Sequence, residues 1–358
     1  MANRRSFIAG FLATGLMPKP TWADAGSPAY LSAGMTPDGS YVLCGLTSDG
    51  RVTFRAPLPA RGHAAAAHPI APLAVAFARR PGTYAIVLDC SDGSVQAQLS
   101  APLGRHFYGH GTFSPGGDLL FTTENDYENG RGIVGVWDAR NGYGRLGEFW
   151  SGGTGPHDIK LMPDGETLVV ANGGIETHPE TGRSKLNIPT MRSNLSYLRL
   201  DGALLEQVFL EENLRKNSIR HLAVSPGGQV AFAMQWQGDE TEYPAVLGTH
   251  RRGEETHVSQ APIEANRAMR GYAGSVAISE DSHTVAITSP RGGVLQSFQL
   301  QHLAFKQQVG IEDVCGVAQS GQSFFVTNGL GLTLMGHGDD LRIASLHDIR
   351  WDNHLVGL

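Results

Sequence analysis

Short apolar runs recur along the chain, and turns rich in Pro, Asp, Ser and Gly separate them. Each copy has the same order: an apolar segment of strand length, a polar turn and a second apolar segment. The copies read LSAGMTPDGSYVLCGL, LAVAFARRPGTYAIVLD, GHGTFSPGGDLLFTTE, HDIKLMPDGETLVVAN, RHLAVSPGGQVAFAMQ, GSVAISEDSHTVAITS and VCGVAQSGQSFFVTNG. Asp-Gly and Gly-Gly turns supply the positive φ that tight hairpins need. The pattern therefore predicts seven β-hairpins.

The spacing of these hairpins predicts the architecture. Their last turn residues are Gly39, Gly82, Gly117, Gly165, Gly228, Ser282 and Gly321. The mean separation is about 47 residues, which is the size of a four-stranded propeller blade. No long amphipathic segment of 3.6-residue period competes, and the 46 glycines favour a turn-rich β protein. We therefore expect an all-β, seven-bladed β-propeller, with a β-sandwich as the structural alternative.

The longest interval between turns contains a polar segment that breaks the strand pattern, GGIETHPETGRSKLNIPTM (173–191). A long segment of this kind on a repeat scaffold lies on one face and often carries function. We expect a loop insertion in the fourth blade, in which His178 and Arg183 could fold over a site. The tail 346–358 follows the seventh hairpin and is expected to close the ring of blades.

Aligning the copies on their turns places polar residues at equivalent positions. Seven or eight residues before the turn lie His110, His157, Asp158, Arg220, His221 and Asp313. The first strand of a blade lines the central channel, so these side chains should converge at one mouth of it. Arg105 and His106 should lie just outside, in a loop that enters the channel. The predicted ligand-binding residues are Arg105, His106, His110, Asp158, Arg220 and Asp313, and the predicted metal ligands are His110, His157 and His221.

The chemistry of such a ring allows two interpretations. Neutral imidazole is the commonest protein metal ligand, and mixed histidine and carboxylate shells suit iron, copper, zinc or manganese. Alternatively, the polar side chains only line a water-filled channel or bridge neighbouring blades by hydrogen bonds. In GRHFYGHG (104–111), the flanking glycines argue against a helical HxxxH metal pair. A transition metal, iron or copper, is the cofactor that the ring could hold.

The first 25 residues predict export. Arg4 and Arg5 precede Ser-Phe-Ile and a modest apolar run, and the segment ends in Ala23-Asp24-Ala25, a small-x-small cleavage pattern. This favours a twin-arginine signal peptide over residues 1–25, a single propeller domain over residues 26–358 and a periplasmic location, with an ordinary secretory signal as the alternative. The apolar run is too short for a membrane span.

Charge and cysteine content narrow the possible partners. A net charge of −6 argues against a nucleic-acid partner held by phosphate contacts. The three cysteines, Cys44, Cys90 and Cys315, lie in or beside apolar runs, so buried free thiols are expected.

Several motifs together resemble one family of exported bacterial proteins. They are RRPG (79–82), GRHFYGHGTFSPGG (104–117), GTGPHDIKLMPDG (153–165), VVANGGIETHPETGRSKLN (169–187), SIRHLAVSPGG (218–228) and WDNHL (351–355). The chain is similar to the family called domain of unknown function 1513. The resemblance implies a propeller-like periplasmic protein whose relatives often accompany imelysin-type, iron-regulated proteins. It implies no reaction and no catalytic residue.

Three functions follow as hypotheses. The first is a non-enzymatic periplasmic binding protein, expected to be a monomer, that takes part in the acquisition of iron or another metal with imelysin-type partners. The second is a metal-assisted, lactonase-like hydrolase with an activated water in the channel. The third is a protein-interaction scaffold that uses the rim and the insertion at 173–191.

Overall fold

A computed structural model of the chain describes residues 20–78, 82–182 and 184–358. Most of the predicted signal peptide, including Arg4 and Arg5, lies outside these residues, as do residues 79–81 and 183. The described chain forms seven four-stranded antiparallel sheets, which are the blades of a propeller. The predicted all-β, seven-bladed β-propeller is confirmed.

The strands are numbered in chain order and grouped here by blade. Blade 1 contains β1 (Tyr30–Met35), β2 (Tyr41–Leu46), β3 (Val52–Leu58) and β28 (Arg350–Gly357). Blades 2 and 3 contain β4 (Gly62–Ala67), β5 (Leu73–Ala78), β6 (Tyr84–Asp89), β7 (Val95–Ser100), then β8 (Arg105–Phe113), β9 (Leu119–Asp126), β10 (Arg131–Asp138) and β11 (Gly144–Trp150). Blades 4 and 5 contain β12 (Pro156–Leu161), β13 (Thr167–Asn172), β14 (Asn194–Arg199), β15 (Leu204–Phe209), then β16 (Asn217–Val224), β17 (Val230–Trp236), β18 (Leu247–His250) and β19 (His257–Val258). Blades 6 and 7 contain β20 (Ser275–Ile278), β21 (Thr284–Ser289), β22 (Val294–Gln299), β23 (Phe305–Gly310), then β24 (Val314–Ser320), β25 (Ser323–Asn328), β26 (Leu332–Gly336) and β27 (Arg342–Leu346).

Helices are few and short in the described residues. The α-helix α1 (Ile263–Ala268) joins blades 5 and 6, and the 3₁₀ turns are Trp22–Ala25, Pro179–Thr181, Glu212–Leu214 and Gly338–Asp340. In this part of the chain, no helix has the length and apolar character needed to cross a membrane. The turn Trp22–Ala25 packs on the propeller, because the Trp22 Nε1 donates to the His68 carbonyl oxygen at 2.9 Å.

Blade 1 closes the ring because it takes strands from both ends of the described chain. β28 pairs with β1 in antiparallel register, from Tyr30 opposite Gly357 to Met35 opposite Arg350. β28 is the innermost strand of this blade, and β1, β2 and β3 follow outward. The pairing leaves no open sheet edge between the first and last blades. The tail therefore closes the ring, as the sequence predicts.

The apolar core lies between neighbouring blades. The second strands β13 and β21 are buried at every position, whereas the outermost strands β7 and β23 are largely exposed. Strands near the axis are covered on both faces by adjacent blades, so their sequences are continuously apolar rather than alternating. Phe77 and Phe107, for example, pack in one core cluster between blades 2 and 3. The expected buried free thiols are also present at Cys44, Cys90 and Cys315.

The predicted alignment of the hairpins is wrong by one strand in two blades. In blades 3 to 7 the predicted hairpin joins the first and second strands, and Gly117 and Gly165 adopt the positive φ expected at its turn. In blade 1 the hairpin at Gly39 joins the second and third strands, and the same holds for the hairpin at Gly82 in blade 2. The innermost strands of these blades are β28 and β4. All seven innermost strands begin at one mouth of the channel, called here the upper mouth, and end at the lower mouth.

Candidate metal centre in the channel

The innermost strands of six blades share an irregularity in their pairing. Each strand shifts its register against the second strand of the same blade. The shifts fall between Gly62 and Ala65 in β4, Phe107 and Gly111 in β8, Pro156 and Asp158 in β12, Ile219 and His221 in β16, Val314 and Val317 in β24, and Trp351 and Leu355 in β28. Such shifts re-aim side chains and are common beside functional sites. Five of the six shifts, all except the one in β24, contain or border a histidine, and these are His63, His110, His157, His221 and His354.

The five histidines meet in the channel and are called here the histidine cluster. The distance between ring centroids is 4.3 Å for His63 and His354 and 5.7 Å for His110 and His221. All are buried except His63, which is partly buried. One ring nitrogen from each of His110, His157 and His221 lies within 4.8 Å of the others, and His63, His110 and His354 form a second such group. The cluster therefore contains two groups of three that share His110.

Asp158 orients the shared histidine. Its Oδ1 lies 3.1 Å from the His110 Nδ1 and accepts a hydrogen bond from the Ile159 N–H at 2.8 Å, while its Oδ2 accepts one from the Leu222 N–H at 2.9 Å. The bond to Leu222 joins blade 4 to blade 5. A carboxylate on one ring nitrogen fixes the tautomer, because Nδ1 carries the proton and Nε2 keeps its lone pair.

Burial and mutual proximity lower the pKa of three imidazoles of the cluster, those of His157, His221 and His354. Burial, with the charge of Arg220, holds the pKa of His157 well below its usual value. Burial and the neighbouring His354 do the same to the pKa of His221, and burial with His110 lowers the pKa of His354 to about 3. Burial would raise the pKa of Asp158, but Lys160 and His110 outweigh it, so the pKa of this carboxyl lies well below its usual range. The cluster thus combines at least three neutral imidazoles with the carboxylate of Asp158.

Two nitrogens of the cluster have unused lone pairs or protons. The His110 Nε2 and the His157 Nδ1 are buried and have no hydrogen-bond partner within the described chain. By contrast, the Nε2 atoms of His63 and His354 lie 3.3 Å apart and can share one proton. A buried polar atom without a partner costs free energy, and a metal ion would satisfy such a nitrogen. Of the two groups, His110, His157 and His221 therefore fits a metal ion better.

The structure separates the predicted site residues into two sets. His110, His157, Asp158 and His221 come together in the channel. Arg220 lies in the register shift of β16, directly before His221, and its positive charge helps to lower the pKa of His157 and His221. This part of the predicted ring is present as a geometrical arrangement.

The remaining predicted residues lie elsewhere. The Arg105 guanidinium pairs with Asp126 on β9 and with Glu148 on β11 of blade 3, each at 2.5 Å. The His106 ring stacks on Tyr127, at a centroid distance of 5.7 Å. Both residues belong to β8 itself, whereas we predicted that they lie in a loop.

Asp313 lies beside a different cavity at the upper mouth. This groove has a volume of about 390 Å³ and is lined in part by Arg61, Asp313 and Asp352. Arg61 donates two hydrogen bonds to Asp352, at 2.7 and 3.1 Å. Burial and the nearby Glu312 raise the pKa of Asp313. Asp313 is therefore a groove residue, and no contact joins it to the histidine cluster.

Sequence reasoning missed His63 and His354. Both lie on the innermost strands of the two blades whose hairpins we misaligned. A signal for His63 was available, because the Gly-His pair at 62–63 repeats the pair at 109–110. His354 lies within the tail, which has no hairpin partner next to it in the sequence.

The insertion between β13 and β14 covers the upper face beside the channel, and it comprises residues 173–193. Asn187 joins the later part of the insertion to its first residues. Its Oδ1 accepts a hydrogen bond from the Glu176 N–H at 2.8 Å, and its Nδ2 donates one to the Gly174 carbonyl oxygen at 2.9 Å. Hydrogen bonds to neighbouring blades run from Asn125 to the Thr177 carbonyl oxygen (3.1 Å) and from Ser218 to the Gly173 carbonyl oxygen (2.7 Å). The predicted insertion in the fourth blade is confirmed. Its His178 packs edge-on against Tyr127 rather than over the cluster.

These features define a seven-bladed β-propeller with a histidine cluster in its channel. The chain belongs to the family described as "Protein of unknown function (DUF1513)", which matches residues 56–358. Among solved structures, the fold is similar to Kuenenia stuttgartiensis hydrazine synthase, with a TM-score of 0.61 and 14% identity over 91% of this chain and 99% of that chain. At that identity the likeness shows the fold alone. No curated protein sequence matches the chain significantly.

Proposed function

We propose that this protein is a metal-binding β-propeller in which histidines of the channel bind a transition metal ion. One observation carries the proposal: five histidines from five blades meet in one buried cluster, and two of their nitrogens have no partner within the described chain. Asp158 supports the proposal, because a carboxylate bonded to a metal-binding histidine is the usual outer partner of such a ligand.

The donor set narrows the kind of metal. Imidazole nitrogens suit copper, zinc, iron and nickel, whereas magnesium, calcium and manganese prefer oxygen ligands. Copper is expected to bind most tightly, since the affinity of a given site for divalent first-row metal ions rises from manganese to copper. Iron is the second candidate, because members of the family that this chain resembles often accompany imelysin-type, iron-regulated proteins.

Metal analysis of natively exported protein tests the proposal. Untagged protein from the periplasm should contain close to one transition metal ion per chain, measured by elemental mass spectrometry. After chelation, added copper, iron(II) or zinc should raise the melting temperature, because a ligand that binds only the folded state stabilises it by about 2.7 kcal/mol at a hundredfold excess over the dissociation constant.

Matched variants separate the cluster from surface histidines. His110→Ala and His157→Ala should each abolish both the bound metal and the melting shift, whereas the exposed His302→Ala should change neither. The absence of metal in native protein, together with no melting shift for any of the three ions, would refute the proposal.

The space beside the cluster favours metal binding over hydrolysis of a lactone. A cavity lined by His110, His221 and His354 has a volume of about 40 Å³. A water needs roughly 10–15 Å³ of such space, so the cavity holds one to three waters rather than an ester or lactone.

For the cellular setting, we propose a periplasmic role in metal acquisition beside imelysin-type proteins. The Arg4-Arg5 pair, the cleavage pattern at Ala23-Asp24-Ala25 and the family resemblance support this. Replacing both arginines by lysine should remove the protein from the periplasmic fraction. Unchanged export of that variant would instead favour the ordinary secretory route.

A further inference from the structure

A larger cavity lies on the upper face between blades 5 and 6, and it is called here the arginine pocket because Arg267, Arg270 and Arg291 line it. Its volume is about 590 Å³, within the range of about 300–1,000 Å³ that is usual for small-molecule sites. The loop after β17, the connection between α1 and β20 and the loop after β21 form its walls. Lys185 of the insertion also lines it, and its ammonium contacts the side chain of Gln237. The pocket is therefore built by loops and the insertion rather than by the channel strands.

Basic side chains dominate the charge of the pocket. Four basic and two acidic residues line it, which gives a net charge of +2 in a chain whose net charge is −6. The charged residues are Lys185, Arg267, Arg270, Arg291, Glu240 and Glu242. A concave surface lined by one sign of charge concentrates ions of the opposite sign. The pocket therefore favours an anion although the chain as a whole is negative.

Aromatic rings, rather than carboxylates, support two of the arginines. The Arg267 guanidinium lies over the Tyr243 ring at 5.0 Å from its centroid, and that of Arg291 lies over Tyr272 at 4.6 Å. Within the described chain, the guanidinium groups of these two arginines and of Arg270 donate no hydrogen bond and form no ion pair. Stacking uses the flat face of a guanidinium and leaves the N–H donors at its edge available. These donors can therefore bind an acceptor that comes from outside the chain.

The backbone holds Arg270 at the pocket in an unfavourable conformation. Its φ is +50°, in the left-handed region that favours glycine, and Gly271 follows with a φ of +61°. The Trp236 N–H donates to the Gly271 carbonyl oxygen at 2.8 Å, and the Tyr272 N–H donates to that of Met269 at 3.0 Å, so the segment is fixed to β17. A non-glycine residue kept in this region points to a role for its side chain.

We propose that the arginine pocket binds a small organic dianion, either a phosphate monoester or a dicarboxylate, through Arg267, Arg270 and Arg291. The planar guanidinium group matches the oxygens of phosphate and carboxylate groups with paired, charge-assisted hydrogen bonds. Two negative charges balance the net charge of the lining, and the two glutamates disfavour anions of higher charge. The proposal is independent of the metal centre, because no residue of the histidine cluster lines this pocket.

Calorimetric titration of the chelator-treated periplasmic protein tests the proposal. The probes are glycerol 3-phosphate and succinate, with uncharged glycerol as the control ligand. At least one of the two dianions should bind saturably at a single site per chain, and the tighter of them identifies the oxyanion group that the pocket selects. Glycerol should not bind. The affinity for the dianion should fall as salt is added, because these side chains are exposed and salt screens their charges.

Three variants remove one guanidinium group each. Arg267→Gln and Arg291→Gln should each weaken binding by about tenfold or more, because a charge-assisted hydrogen bond is lost. Arg270→Gly should weaken it by a similar factor but keep a melting temperature close to that of the parent, because glycine adopts the φ of this position without strain. Arg342→Gln, at an exposed position of β27, is the matched control and should leave the affinity unchanged.

The comparison of these variants decides the outcome. Weaker binding in the three pocket variants, with the affinity of Arg342→Gln equal to that of the parent, would support the proposal. It would be overturned if neither dianion bound saturably at millimolar concentrations, or if glycerol bound as tightly as its phosphate. Equal affinity in the parent and the pocket variants, or an equal loss in Arg342→Gln, would also overturn it.

Discussion

The carboxylate of Asp158 is the most informative single position in the channel. Asp158→Asn keeps the size of the side chain and changes only its charge and one acceptor. The Asp158 Oδ1 faces the N–H groups of His110 and Ile159, so the amide oxygen of asparagine would stay there. The amide NH₂ would then face the Leu222 N–H, which now bonds to Oδ2 at 2.9 Å. The variant therefore loses the bond between blades 4 and 5 and weakens the other two.

The size of the effect follows from these contacts. A hydrogen bond to a charged group contributes about 1.5–3 kcal/mol, so one lost bond and two weakened ones predict a decrease of about 3–5 kcal/mol in the free energy of unfolding. The lowered pKa of Asp158 shows that folding favours the ionised form. Its contribution is therefore present above the unfolded value of 3.8 and is lost as the pH falls below it. Metal affinity should fall about 10–100-fold, because the orientation and basicity of His110 are lost.

Two measurements test this prediction. Guanidinium denaturation of the chelator-treated protein at pH 7.5 gives the free energy of unfolding, and copper titration gives the affinity. Asp339→Asn, at an exposed turn, is the control and should stay within about 0.5 kcal/mol of the parent. If Asp158→Asn matched the parent in both stability and affinity, the assignment of Asp158 as the orienting partner of His110 would be wrong.

Three further predictions concern pH, the blade 3 ion pair and the insertion. The metal-free protein should lose stability as the pH falls below about 6.5, because folding lowers the pKa of His354 to about 3. This residue alone should account for a loss of about 3 kcal/mol at pH 4.5, and His354→Gln should remove that share in guanidinium denaturation. Glu124→Gln should destabilise by about 1.5–3 kcal/mol in thermal unfolding, because it weakens the two bonds of 2.8 and 2.9 Å to Arg145, while Glu148 still pairs with that arginine at 2.8 Å; retention of the parent melting temperature would contradict this. Asn187→Ala should speed hydrogen exchange within 173–193 while leaving the blade strands protected, and unchanged exchange there would show that other contacts hold the insertion.

The blade repeat was predictable from the sequence because most hairpins carry Gly at the turn position that adopts positive φ. The hairpin between β4 and β5 does not. Its turn, His68 to Pro72, is capped by an imidazole: the His68 Nδ1 accepts hydrogen bonds from the N–H groups of Ile70 and Ala71, at 3.1 and 2.9 Å. A side chain replaces the usual glycine, so the turn escaped detection and the next hairpin took its place in the alignment.

The candidate site was predictable where the alignment of the hairpins held. His110, Asp158 and His221 share one position counted from their turns, which is why they emerged together. The register shifts were not predictable, because they depend on how two strands pair rather than on the residues of either one. The placement of Arg105 depends likewise on Asp126 and Glu148, which come from other strands of blade 3.

Closure of the ring through β28 also sets the order of assembly. His63 and His354 lie 291 positions apart in sequence, yet their rings touch. Contacts of such separation form late in folding, because a long loop must close first. The complete histidine cluster can therefore exist only after β28 has been synthesised and inserted beside β1. Contact between His63 and His354 would then report whether a given molecule has finished folding.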